Sequence, residues 1–162
     1  MRREFGILFL SAAFGCGGMN VSGHAEPSSV VQQLTVTTDD GKALYGEIDF
    51  PFADSAHALV LLVPGTGGYD RNMKFGRSGT ADDLIFARLA NALTGKGLAV
   101  VRYDERGRAC TPNLEPGQDG LCADKTLISQ VTPERTATDI ANVAAAAMRD
   151  SKSACLIVIA HS

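Results

Sequence analysis

Three short, strongly apolar runs constrain this chain more than anything else in it: Ala58-Leu59-Val60-Leu61-Leu62-Val63, Gly97-Leu98-Ala99-Val100-Val101-Arg102-Tyr103 and Leu156-Ile157-Val158-Ile159-Ala160. Runs of this length, rich in branched residues, read as strands buried on both faces in a parallel sheet. Helical patterns separate them. Residues 81–94 set Ile85, Leu89 and Ala92 or Leu93 on one face, with Asp82 and Asp83 near the start and Gly95 at the end. Residues 133–149 begin on Thr132-Pro133 and set Ile140, Val143 and Ala147 on one side. Ahead of these, residues 30–38 and 43–50 flank the turn Asp39-Asp40-Gly41-Lys42 and predict a hairpin. In its second strand Leu44, Gly46, Ile48 and Phe50 share a face. The order hairpin, strand, helix, strand, helix, strand predicts an α/β sheet, parallel after a leading antiparallel hairpin.

In such sheets ligands are met at the carboxyl ends of the strands. The apolar runs end there in Pro64-Gly65-Thr66-Gly67-Gly68, in Asp104-Glu105-Arg106-Gly107 and in His161-Ser162. The glycine loop leaves its backbone N–H groups uncovered, as a donor set for a developing oxyanion requires, although an ordinary flexible turn would look the same. It is not a dinucleotide fingerprint, because Asp70 stands where the last glycine of G-x-G-x-x-G belongs. Nor is it a phosphate-binding Walker loop, since no Gly-Lys-Ser/Thr follows. A serine at a strand exit is placed to be a nucleophile on a tight strand-to-helix turn. Its base is harder to find. His24 lies in the leader, His57 precedes its strand and so sits at the amino edge of the sheet, and His161 is the immediate neighbour of Ser162. Alternation turns His161 away from that serine, so no histidine of the sequence is placed as its general base.

A chain of 162 residues with 45% hydrophobic content forms one domain with a real core. A net charge of −3 gives no electrostatic reason to expect nucleic acid or an anionic membrane as partner. Residues 1–25 read as an export signal peptide: Arg2 and Arg3 at the start, an apolar stretch over 5–14 too short to span a bilayer, and Gly23-His24-Ala25 before a cleavage site at Glu26. That predicts a periplasmic or secreted domain over 26–162. The competing reading is a lipoprotein signal with a lipid anchor at Cys16, which Ala13 and Phe14 fit poorly. Export makes Cys110 and Cys122, flanking a Pro/Gly-rich loop, a candidate disulfide worth about 3 kcal/mol, with two unpaired thiols as the alternative. No second Cys or His pair stands at zinc spacing, so no metal is expected. No cofactor is implied either. Cys155 reads as a small buried hydrophobe.

The chain resembles the N-terminal part of an α/β-hydrolase, close to the bacterial serine esterases and S33-type peptidases. Residues 61–72 resemble the family's oxyanion loop, Tyr103-Asp104-Glu105-Arg106-Gly107 its Y-D-x-R-G turn, and Ile159-Ala160-His161-Ser162 the start of its G-H-S-x-G elbow. The resemblance implies the first five strands of that sheet, ending at the nucleophile Ser162. It implies the Thr66 backbone N–H as one oxyanion donor and the residue after Ser162 as the other. Asp104 and Arg106 would brace the loops around the site, and Asp70 and Arg71 would order the oxyanion loop. Pro64 replaces the usual histidine, Gly68 the proline and Ala160 the first elbow glycine. The acid and histidine that follow the nucleophile in the family have no counterpart in these residues. The implied function is a serine hydrolase acting on a small-molecule ester or a peptide through an acyl-serine intermediate, with these residues inactive by themselves. The alternative is a non-catalytic exported binding or interaction module on a hydrolase-like half-sheet. In either case the last strand is expected to leave a long apolar edge exposed.

Overall fold

Gly41 closes the hairpin by adopting φ 74°, a left-handed conformation that costs glycine nothing. Its N–H donates to the Thr38 carbonyl at 2.8 Å, and β1 (Val30–Thr37) then pairs antiparallel with β2 (Ala43–Phe50), Val36 opposite Leu44. The structure, a computed structural model, describes residues 29–51, 58–65, 69–74, 84–108 and 124–161. The chain continues through β3 (Ala58–Val63), α1 (Ile85–Thr94), β4 (Ala99–Tyr103), α2 (Lys125–Ile128), α3 (Pro133–Ser151) and β5 (Cys155–Ala160). The sheet order is β1-β2-β4-β3-β5. β2 meets β4 antiparallel, whereas β3 is parallel to both β4 and β5.

β3, β4 and β5 contribute alternate residues to two cores, as a two-residue period requires, whereas the hairpin strands β1 and β2 contribute to the first alone. Leu34, Leu44, Ile48, Leu59, Leu61 and Val101 pack with Val143, Ala146 and Ala147 of α3. On the opposite face Val60, Leu62 and Val100 pack with Phe86 and Ala90 of α1 and with Met73. The path from β3 to β4 runs one way along the sheet and the path from β4 to β5 runs back past β3, so right-handed crossovers put their helices on opposite faces. Among the described residues no helix is long and apolar enough to cross a membrane.

The sequence expectation holds for the hairpin, for β3 residue by residue and for the buried stripe of α3. It needs correction in four places. The described part of α1 buries Phe86, Ala90 and Thr94, with Leu89 and Leu93 at the margin, while Ile85 is 40% exposed. Arg88 and Asn91 mark the solvent side together with Ile85 and Ala92, and the sheet selected a face one residue on from the expected one. β4 starts at Ala99, because Gly97 at φ 83° still belongs to the turn. A one-turn helix, α2, was not expected; the Asp124 carboxylate caps it by accepting from the Thr126 and Leu127 N–H groups. Finally, β5 is not buried on both faces. It is the edge strand, half-buried at Leu156, Ile157 and Ile159 and 45% exposed at Val158, because β3 pairs with one side of it and no described strand with the other. The exposed apolar edge is therefore present.

That edge carries no charge, proline or bulge to discourage pairing with another chain. Val158→Lys is expected to raise the soluble fraction and lower light scattering on heating, while changing stability by less than about 0.5 kcal/mol. Unchanged aggregation would show that the edge is not the liability.

Candidate functional site

β3 and β4 lie side by side with parallel register, Val60 opposite Val100, yet their chains leave for opposite faces of the sheet. A crevice opens at their carboxyl ends, the position where open α/β sheets bind ligands. β5 joins it from the other side of β3. The His161 N–H donates to the Val63 carbonyl at 3.0 Å, carrying the β3–β5 pairing one residue past the strand. A cavity of about 620 Å³ opens against these exits, and Gly65, Tyr103, Arg106, Asp139, Ile140 and His161 are among its walls.

Residues 69–73 follow the glycine loop and are pinned from several directions. One Asp70 carboxylate oxygen accepts from the Asn72 and Met73 N–H groups at 2.9 and 3.0 Å, folding the arm back on itself. Met73 pays for that turn with φ 49°, a cost of roughly 1 kcal/mol or more for a non-glycine residue, and is completely buried in the α1-side core. Arg71 is buried just as completely. Its backbone N–H donates to Asp104 Oδ1 at 2.8 Å, and its Nε and Nη2 donate to Asp104 Oδ2 at 3.0 and 2.5 Å. Its Nη1 reaches the Gly46 carbonyl and Gln33 Oε1, both at 3.3 Å. Asn72 accepts from Arg102 Nη1 at 2.6 Å, and Arg102 donates onward to Asp49 at 3.0 Å and to Glu47. The Glu105 N–H donates to the Tyr69 carbonyl at 3.2 Å, while its carboxylate accepts the Tyr69 N–H. The arm is thereby tied to β2 and to the end of β4.

Arg106 does the corresponding work on the α3 face. Nε and Nη2 donate to the two Asp139 oxygens at 2.9 and 2.6 Å, and Nη1 and Nη2 donate to Asp40 at 2.9 and 3.2 Å. One guanidinium thus joins the hairpin turn, the β4 exit and α3. The Thr38 hydroxyl, and after it Arg106, hold the Asp40 carboxyl at about 2, below its usual 3.8. Asp139 in turn raises the Arg106 pKa. Burial, then the neighbouring charges of Glu105 and Asp139, push the Tyr103 phenol upward, so it stays protonated on the cavity wall.

The structure therefore brings together four residues singled out in the sequence, Asp70 and Arg71 in the arm and Asp104 and Arg106 at the β4 exit. Ser162 and Thr66 lie outside the described residues, as do His57, Cys110, Cys122 and the segment 1–25 with Cys16. Sequence reasoning missed Asp40, Asp139, Arg102 and the Gly65–His161 approach. Asp139 left one signal: it stands four residues before Val143 on the apolar stripe of α3, where a buried carboxylate must have a cation.

No family model matches the chain, and no curated protein matches it. Solved structures do. The esterase Pf2001 of Pyrococcus furiosus superposes in one crystal form with a TM-score of 0.55 at 16% identity, covering 82% of this chain and 40% of its own. A second crystal form gives 0.50 at 15%, covering 82% and 42%. The described sheet has an α/β-hydrolase-like fold. At this identity the likeness shows the fold alone, and the chain spans about two fifths of the length of those esterases.

Removing one member of the buried pair leaves the other charge without its partner. Asp104→Asn is expected to destabilise the sheet by about 3 kcal/mol, read as a lower urea midpoint, and an unchanged midpoint would contradict the brace. A second expectation concerns acid. The folded-state pKa of Asp40 is depressed, so its contribution is fully present above its usual 3.8 and is lost as pH falls toward 2. Over that window Asp40→Asn should show a shallower loss of urea resistance than the parent.

Proposed function

We propose that the chain contributes the nucleophile and one oxyanion donor of a serine hydrolase that cleaves an ester or amide through an acyl-serine intermediate. The observation that carries this reading is the meeting of the β3, β4 and β5 exits on one cavity, with Gly65 and His161 in contact and the intervening arm fastened to Asp104. Ser162 follows His161 and would attack the carbonyl. Thr66 follows Gly65 and would direct its backbone N–H at the resulting oxyanion. The second donor, the general base and its acid would come from polypeptide following Ser162 in the complete enzyme. The mixed apolar and hydrogen-bonding wall of the cavity suits a small-molecule ester or a peptide segment.

The complete gene product should hydrolyse a nitrophenyl ester, and Ser162→Ala should lower kcat about 1000-fold or more. Residues 26–162 alone should show no turnover. Turnover that survives Ser162→Ala would overturn the assignment, and a complete product that binds ligands without Ser162-dependent turnover would favour the non-catalytic module.

Export of the mature chain and a Cys110–Cys122 disulfide belong to the same proposal. The Asp124 N–H donates to the Gly107 carbonyl at 2.9 Å, so the two ends of the cysteine-bearing excursion meet. Cys110 stands three residues beyond one end of this neck and Cys122 two before the other. Intact mass of the unreduced protein purified from an oxidising compartment should be lower by two hydrogens, and two alkylatable thiols at these positions would contradict the bridge.

A further inference from the structure

We propose that His161 is a positioning residue whose contact with Gly65 sets the separation between oxyanion donor and nucleophile. The inference rests on the assignment above, because Gly65 and His161 each immediately precede one of those groups in the chain. A Cβ placed on Gly65 would stand 2.7 Å from His161 Nδ1, 2.8 Å from the His161 carbonyl oxygen and 3.2 Å from its carbonyl carbon. Non-bonded heavy atoms rest at roughly 3.5–4.0 Å, so no side chain larger than hydrogen fits while His161 keeps its place. Gly65 does not have a left-handed φ, unlike Gly41, Gly97 and Gly107, so glycine is required here by the close approach.

The approach is fixed from two sides. The His161 N–H donates to the Val63 carbonyl at 3.0 Å and draws the β5 exit toward β3. The imidazole and carbonyl of His161 then bear on Gly65 and stop the two chains from closing further. Hydrogen bond and steric stop together give the exits one spacing. That spacing matters because an oxyanion donor works only at about 2.7–3.1 Å from the position the charge will occupy. A misplacement of about 1 Å at a reacting centre costs on the order of 100-fold in rate. The role is one of spacing, without proton transfer by the imidazole.

Two measurements on Gly65→Ala test the inference. In the full chain, amide hydrogen exchange of the His161 N–H should accelerate at least about tenfold relative to the other β5 amides. Gly97→Ala serves as the control: its φ of 83° makes an alanine strained, but nothing lies within 4 Å of the added Cβ and the site is remote from the exits. That control should move all amides together. No selective change at His161 in Gly65→Ala overturns the proposal. In the complete enzyme, Gly65→Ala should lower kcat about 100-fold with KM within about twofold, and an unchanged kcat also overturns it. His161→Ala, which removes the ring and keeps the backbone, should lower kcat by a smaller factor and combine non-additively with Gly65→Ala. If Ser162→Ala retains turnover, the nucleophile assignment fails, while the exchange measurement still decides whether the contact sets the spacing.

Discussion

Arg71 is wholly withdrawn from water, and a guanidinium in that position must be met on nearly every side or the fold does not form. Asp104 meets it with one carboxylate oxygen, which accepts from Nε and Nη2, and takes the Arg71 backbone N–H with the other, while Gly46 and Gln33 accept from Nη1. The consequence is geometric. Arg71 belongs to the arm after β3, Asp104 to the exit of β4 and Gly46 to β2, so the interaction can form only when all three strands are in register. Removing it would leave a buried charge, and that penalty holds the arm against β2 and β4.

Other parts of the site hang from this pair. Arg102, next to last in β4, extends the network to Asn72 on one side and to Asp49 and Glu47 of β2 on the other. Two residues after Asp104, Arg106 faces the opposite side of the sheet and holds α3 through Asp139. The β4 exit is thus anchored toward both faces at the place where the chains leaving β3 and β4 diverge. α3 leads through Lys152, in the left-handed conformation that ends the helix, into β5 and so to His161. A hydrolytic site would need such rigidity, since oxyanion donors gain their effect from being aimed before the charge appears.

Much of this was legible in the sequence, and the rest was hidden for physical reasons. The bounds of β3 follow from six apolar residues between His57 and the break at Pro64-Gly65, and the hairpin from Asp40-Gly41 between alternating strands. The face of α1 reads one residue off, because Ile85 and Ala92 are apolar yet share the solvent side with Arg88 and Asn91. β5 looked like an interior strand because composition reports an affinity for burial, whereas neighbours decide whether burial is reached. The family resemblance pointed to Asp70, Arg71, Asp104 and Arg106. It did not give their partners, which lie 33 residues apart for Arg71–Asp104 and Arg106–Asp139 and 66 for Arg106–Asp40. The need for glycine at position 65 was equally invisible, since it arises from a chain 96 residues further on.

A fold shared with an esterase does not by itself confer its chemistry. What this structure adds is the placement of three strand exits on one cavity, with braces on both faces. The most direct test of the central claim is covalent labelling of the complete gene product with a fluorophosphonate, followed by peptide mapping of the adduct. The account predicts a single adduct on Ser162 that forms only with the folded protein. An adduct on another residue, or none while the folded protein hydrolyses esters, would contradict it.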